Sequence, residues 1–398
     1  MQYDLVFEGG GAKGMVFVGA MQAFEAQGHT VGRLLGTSAG AITATLLAAG
    51  YTSAEMLAAL GEKDAGHSVF ASFMGLPAAV DKAALAKSAT REMLRGINFS
   101  FIPDLVETQF DDWLTRWLAE QPRLRHVFSF IEQGGWYSAD NFLTWMRRRL
   151  DTGQLNDAPR ALSALTLAQY HAVTGKDLTL IASDTTGQAM LILNHQTAPD
   201  LPVVWAVRMS MSIPLLWQEV VWQPEWGAYR GKPMSGHVIV DGGLLSNFPL
   251  ELLVSGNVRA TTLMGEKTST EALGLLIDEA RPVPGAPSTS VAGFNVGELA
   301  VVKRLNNLVN TTLSARDKSV IEAFEKFVVR LPAQGYGTTE FEMTDERRDR
   351  LVAAGREVMA EYLAQRADEP VSFDGAPDPE LAHAEAAADK LCAKLWDY

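Results

Sequence analysis

The sequence predicts an α/β protein, a three-layer α/β/α sandwich with a mostly parallel central sheet and a helical insertion after the second helix. Two strand-turn-helix units at the N-terminus and a return of short apolar runs after residue 176 predict it. Tyr3–Glu8 reads as a buried strand, followed by a turn at Gly9-Gly10-Gly11-Ala12-Lys13-Gly14 and an apolar helix from Met15 to Ala26. Val31–Leu35 is the second strand; a short turn leads into a helix reaching about Ala49. Strands alternating with helices imply a parallel sheet covered on both faces. Residues 53 to about 150 are mostly helical and rich in aromatics, among them Phe70, Phe73, Phe99, Phe101, Trp113, Trp117, Phe142 and Trp145. Strand patterns return at Asp177–Ala182, Ala189–Asn194, Val203–Val207, His237–Val240 and Arg259–Met264. After a Pro/Gly/Ser-rich loop at Pro282–Gly293, Phe327–Leu331 is a final strand and Thr344–Gln365 a charged amphipathic helix capped by Thr344.

Bulk properties narrow the function classes. With 47% apolar and 20% charged residues the chain is an ordinary globular one. A formal charge of −13 argues against a nucleic-acid surface and gives no general attraction to anionic lipid, so any transient membrane contact has to be local and apolar. Ser68–Pro77 and the cluster Trp217, Trp222, Trp226 are candidates for such a surface, with core packing as the competing reading, and Arg147-Arg148-Arg149 could meet lipid phosphates. The single cysteine, Cys392, forms no intrachain disulfide. Met1-Gln2-Tyr3-Asp4-Leu5 carries no basic region before an apolar one, and no run approaches the ~20 apolar residues of a membrane span. The expectation is a cytoplasmic protein, with secretion by a signal-less route left open.

Three motifs carry chemistry. Gly36-Thr37-Ser38-Ala39-Gly40 is a Gly-x-Ser-x-Gly between strand and helix, the nucleophile-elbow pattern. It exposes the Ser38 hydroxyl at a helix N-terminus, where N–H groups favour developing negative charge. Gly9-x-Gly11-x-x-Gly14 formally matches a dinucleotide turn, but the second strand runs straight into Gly36-Thr37-Ser38 without the carboxylate that holds a ribose. The competing reading is an oxyanion hole of consecutive glycine N–H groups, with Lys13 as added positive charge. The third motif is Asp241-Gly242-Gly243, which places a carboxylate at the end of the run His237–Val240. Alone it reads as a turn cap; beside an elbow serine it reads as a general base. The seven histidines are scattered, and Asp184, Asp177 and Asp200 sit in turns of hairpin type.

In this order the three motifs resemble the patatin family of lipid acyl hydrolases, with Ser210-Met211-Ser212-Ile213-Pro214 and Asn247-Phe248-Pro249 as weaker echoes. Lys13 stands where many relatives carry arginine, which keeps the charge but loses the bidentate geometry. The resemblance implies a catalytic domain over 1–366, with the insertion at about 53–150, and a helical tail over 367–398. It implies a Ser38–Asp241 dyad without histidine, an oxyanion hole drawn from Gly9, Gly10, Gly11 and Ala39, and supporting roles for Lys13, Gly14, Gly36, Gly40, Gly242 and Gly243. The implied substrate is a phospholipid or another acyl-lipid ester, hydrolysed in a phospholipase A-like or lysophospholipase-like way without metal or cofactor. A nucleotide-binding regulatory protein with Gly9–Gly14 as a phosphate loop, and an acyltransferase on the same scaffold, stay open as alternatives.

Overall fold

The computed structural model describes residues 1–64, 66–79, 88–89, 122–267, 269, 271–286, 321, 324–368 and 379–392. Phe99, Phe101, Trp113 and Trp117 of the insertion lie outside the described residues, as do parts of the Pro282–Gly293 loop and of the tail.

An eight-stranded sheet forms the middle layer. Its strands are β1 (Gln2–Phe7), β2 (Thr30–Thr37), β3 (Leu178–Asp184), β4 (Ala189–Leu193), β5 (Val220–Val221), β6 (Val238–Asp241), β7 (Glu271–Pro282) and β8 (Val328–Gln334). β1 lies between β2 and β7, and β8 and β3 extend the parallel run on either side. β4 and β6 join β3 antiparallel, and β5 completes the order beyond β6.

Alternation along these strands builds two cores, because successive side chains leave a sheet on opposite faces. Leu5 and Phe7, Leu34, Leu180, Leu273 and Leu275 pack on one face, against helices α1 (Val16–Ala26), α2 (Ala39–Ala48), α7 (Val203–Ser210) and α10 (Asp345–Asp368). Val6, Leu35, Ile181, Ala272 and Leu276 pack on the other, against α8 (Glu251–Val254), α9 (Val258–Met264) and α11 (Pro379–Cys392). Among the described residues the remaining α-helices are α3 (Ser53–Leu60), α4 (Pro122–Glu132), α5 (Asp140–Leu150) and α6 (Leu167–Thr174). From the insertion, Phe70, Phe73, Phe142 and Trp145 are buried in the first core.

Two expected strands are helices. Val203–Val207 belongs to α7 and Arg259–Met264 to α9. An apolar run of five residues such as Val203–Val207 fits a buried helix as well as a strand. For α9 the signal was the residue before it: Asn257 accepts from the Arg259 N–H at 2.9 Å and caps the helix. The 12-residue β7 was not anticipated, since Glu271-Ala-Leu-Gly-Leu-Leu reads as helical in composition. The C-terminal helix follows expectation, with the Arg347 N–H donating to Thr344 Oγ1 at 3.3 Å.

Helices α1 and α10 cross closely. A Cβ built on Gly19 would fall 1.8 Å from the Val352 carbonyl oxygen, and one on Gly355 2.3 Å from that of Val16. Gly19→Ala should therefore lower stability by about 1–3 kcal/mol, the range for overpacking a filled core. Urea unfolding checks it: an unchanged midpoint at constant slope would mean that the helices do not rely on this contact.

Candidate active site

The site forms where two strands meet end to end on one edge of β3. Ile181 pairs with Thr37 of β2 and with Ile192 of β4, so β2 and β4 flank it on opposite sides. Ala182 pairs with Asp241 of β6 and with Leu191 of β4, so β6 lies on the same side as β2. β2 runs parallel to β3 and stops at Thr37; β6 runs antiparallel and stops at Asp241. Their ends therefore face adjacent residues of β3, and Ser38 and Asp241 leave the sheet at one place.

Ser38 has φ 53° and ψ −118°, a conformation that costs a non-glycine residue on the order of 1–3 kcal/mol. Close packing fixes it: a Cβ on Gly40 would fall 2.2 Å from the Phe7 carbonyl oxygen, and one on Gly36 would meet Gly40 itself. Helix α2 can thus start against the end of β1 only with glycine at 40. The Ser38 N–H donates to Ser210 Oγ at 3.0 Å, and that hydroxyl donates to the Ile181 carbonyl at 2.6 Å.

Asp241 is 4% exposed. Its Oδ1 accepts the Gly243 N–H at 2.7 Å, and its own N–H donates to the Ser212 carbonyl at 2.9 Å. Among the described residues its Oδ2 is buried with no donor in hydrogen-bonding geometry. Burial pushes the Asp241 carboxyl up to about 7, against the lowering effects of the nearby Ser38 hydroxyl and the Gly243 N–H. Gly242 sits against β3, where a Cβ would lie 2.3 Å from the Ile181 carbonyl oxygen.

The glycine turn lies beside this pair. Gly11 adopts φ 55°, the left-handed region that favours glycine, and a Cβ there would meet the Thr338 carbonyl at 2.2 Å. Among the described residues the N–H groups of Gly10, Gly11 and Ala39 have no acceptor. Gly9 differs from expectation: its N–H donates to the Asn247 carbonyl at 3.3 Å, while Asn247 Nδ2 donates back to the Gly9 carbonyl at 2.9 Å. That exchange makes Gly9 an anchor of the loop, with no N–H left for an oxyanion. Lys13 is buried and paired with Glu279 of β7, and Gly14 packs against Ala39.

An apolar cavity opens at the serine. Gly11, Ser38 and Ala39 form its polar end, and Leu46, Phe73, Trp145, Trp217 and Phe341 line its depth. Trp217, Trp222 and Trp226 are all buried, so the tryptophan cluster is core and cavity wall, not a membrane-facing surface. Phe70 and Phe73 are buried too, which leaves Leu76, at 47% exposed, as the exposed large apolar residue of Ser68–Pro77. Arg148 and Arg149 both pair with Glu62. Among the described residues no helix is long and apolar enough to cross a membrane.

No histidine among the described residues bonds Ser38. His237 Nδ1 stands 2.7 Å from Asp184 Oδ2, and Asp184 Oδ1 accepts the N–H groups of Thr186 and Gly187. Sequence spacing did not reveal one cluster: His171, Asp177 and His195 bring potential metal-ligand atoms within 4.8 Å of one another at the start of β3, the end opposite Ala182. There the imidazoles stack at 3.8 Å, and His171 Nδ1 lies 3.1 Å from the Lys176 carbonyl, so that nitrogen carries a proton and is not a free ligand. Ser210 and Ser212 are the other residues at the site to which sequence reasoning gave no role; their only signal was their place in the Ser-x-Ser-x-Pro echo.

Comparison with known proteins supplies the family. The patatin-like phospholipase family matches residues 5–254. The Bacillus subtilis "Uncharacterized protein YqhO" is 26% identical over 372 residues, covering 92% of this chain and 99% of its own length. "Probable lipid hydrolase 463L" of Invertebrate iridescent virus 6 is 20% identical over 252 residues, 63% of this chain and 62% of that one. Among solved structures, VipD from Legionella pneumophila is similar over 98% of this chain and 75% of its own, at 16% identity and a TM-score of 0.43. With 250 residues of the chain inside the family match (254 − 5 + 1), this protein is a member of the patatin-like phospholipase family.

Proposed function

We propose that the protein is a serine lipid acyl hydrolase that uses a Ser38–Asp241 dyad. The observation that supports this reading is the end-to-end meeting of β2 and β6 on β3, which brings the backbones of an elbow serine and a buried carboxylate to adjacent positions on one strand edge. Asp241, ionised, takes the Ser38 proton on Oδ2 as Ser38 Oγ attacks the ester carbonyl carbon. The carbonyl π electrons move to oxygen, where the N–H groups of Gly10, Gly11 and Ala39 receive the charge. Collapse of the intermediate expels the alcohol, which takes the proton from Asp241. Water then repeats the sequence on the acyl-enzyme: Asp241 removes its proton, hydroxide adds, and Ser38 leaves with that proton as the free acid departs. The cavity beside Ser38 is apolar along its depth, which suits an acyl chain and supports lipid esters as the substrate class.

Binding of a nucleotide phosphate at Gly9–Gly14 has less support. Lys13, the cation such a loop would use, is buried against Glu279, and the Ala12 N–H donates to the Thr338 carbonyl at 2.9 Å. Stabilisation by NAD or ATP in a thermal-shift assay, without labelling of Ser38 by a fluorophosphonate, would reverse this preference.

Release of fatty acid from phospholipid vesicles tests the dyad. Ser38→Ala should abolish turnover and Asp241→Asn should lower kcat by about 10²–10⁴; wild-type rates in either variant reject the mechanism. Gly11→Ala, which disturbs an oxyanion donor, should lower kcat by about 10²–10³ with far less effect on KM. Because the base must be ionised, kcat/KM should rise with pH through a midpoint near 7 and level off above it, consistent with a carboxyl held at about 7.

The same carboxyl predicts a stability effect of opposite direction. Its folded pKa lies above the unfolded value, so between about 4 and 7 the native state holds a proton that the unfolded chain has released. Its stabilising contribution is complete below that window and lost as pH rises through about 7. Asp241→Asn removes the loss and should stabilise the fold at pH 8 by up to about 4 kcal/mol, three pK units at 1.36 each. Equal unfolding midpoints for wild type and variant at pH 8 would show that the carboxylate is not desolvated.

A further inference from the structure

We propose that the turn Ser210–Ser212, at the end of α7, is the positioning element of the dyad, and that the Ser210 hydroxyl is the group through which it holds the nucleophile; this rests on the dyad reading above. The ladder between β2 and β3 ends at Thr37 opposite Ile181. Just past that point the Ser210 hydroxyl joins the two strands, accepting the Ser38 N–H at 3.0 Å and donating to the Ile181 carbonyl at 2.6 Å. Two residues on, the Ser212 carbonyl accepts the Asp241 N–H at 2.9 Å. Nucleophile and base are therefore held by one turn, each through its own backbone N–H, so the geometry of the turn sets their separation.

The turn itself is fixed from behind. Arg208, one turn earlier on α7 and 4% exposed, donates to Ser212 Oγ through Nη1 and to the Gln218 carbonyl through Nη2 at 2.6 Å, and Ser212 Oγ donates back to the Arg208 carbonyl. Ser210 and Ser212 are fully buried, whereas Met211 and Ile213 border the apolar cavity. Alternate residues of one turn thus serve the reacting pair and the substrate wall. A strained residue such as Ser38 keeps its conformation only while its surroundings over-determine it. Removing Ser210 Oγ leaves a buried N–H and a buried carbonyl unpaired at the point where the strain is held.

The test uses the full chain and a soluble p-nitrophenyl ester, with fluorophosphonate labelling of Ser38 followed by mass spectrometry. Ser210→Ala should lower kcat by about 10–100-fold with KM within about twofold, as expected for displacement of a reacting group by a fraction of an ångström to 1 Å. Labelling of Ser38 should slow by the same factor. A Ser210 that is only structural would lower the melting temperature and leave kcat and labelling unchanged in the folded enzyme; that result, with both rates within twofold of wild type, overturns the proposal. If Ser210→Ala does not fold, Ser210→Cys keeps the volume with a weaker donor and acceptor. An intermediate loss of kcat at native circular dichroism supports the role, and a wild-type kcat refutes it. Wild-type enzyme unlabelled at Ser38, or an active Ser38→Ala, sinks the dyad itself, whereas labelled wild type beside a fully active Ser210→Ala sinks only the positioning role.

Discussion

The site depends on one edge of one strand. β3 offers its flank to β2 as far as Ile181 and to β6 from Ala182 on, and no other strand comes between them. Hydrogen-bonded register is the most exact distance constraint a fold has, because a slip of one residue turns every side chain to the opposite face. Residues 38 and 241 are distant in sequence, yet each is the first group beyond a registered pairing or its last member. The glycines then follow from crowding: Gly40 of helix α2 presses on the end of β1, Gly242 on β3 and Gly11 on the Thr338 carbonyl.

Such a site is held against local preference. Ser38 keeps a backbone conformation that side chains avoid, and Asp241 keeps a buried oxygen with no donor. Each would relax if the surroundings allowed it: the serine by turning toward ordinary helical angles, the carboxylate by reaching water or a cation. The dense first core beneath α2 prevents the first, and burial of Asp241, 4% exposed, prevents the second. A carboxylate stabilised by a lysine or arginine would have a low pKa and be a poor base at neutral pH. Under the dyad reading proposed above, leaving Oδ2 without a cationic partner keeps its proton affinity in the range a general base at neutral pH needs.

Sequence reading succeeded where residue type and local geometry are bound together. Gly36-Thr37-Ser38-Ala39-Gly40 reads as a tight strand-to-helix turn because its two glycines sit where a Cβ would meet backbone, and Gly242 after Asp241 likewise packs against β3. It failed where apolar runs are short or backbone partners are non-local. Val203–Val207 carries no periodicity that separates strand from buried helix, and β7 has helical composition yet lies in the sheet because β1 and β8 supply both its ladders. Gly9 looks like its neighbours in sequence; only the position of Asn247, brought from the segment after β6, shows that its N–H is engaged. The contacts of Ser210 could not be read from the sequence because its two partners lie just past the end of β2 and in β3.

The family match ends at residue 254, but the site does not. β7 brings the Ile277 N–H to Glu8 Oε2 at 2.6 Å, and Glu8 Oε1 receives Asn247 Nδ2 at 3.1 Å, so the segment entering the glycine turn is clamped from both sides. Glu279 neutralises Lys13, and the Thr338 carbonyl takes the Ala12 N–H. Phe341 then packs edge-on against Trp217, their centroids 5.6 Å apart, in the cavity wall. The contacts of Asn247, Ile277, Glu279 and Thr338 tie the shape of the glycine turn to residues more than 230 positions away. They also explain why the close crossing of α1 and α10 matters at the site: α10 follows directly on the Thr338–Phe341 segment and anchors it against the helix that grows out of the glycine turn. The C-terminal third thus helps to hold the glycine turn in its curved shape, and the candidate site draws on the whole sandwich.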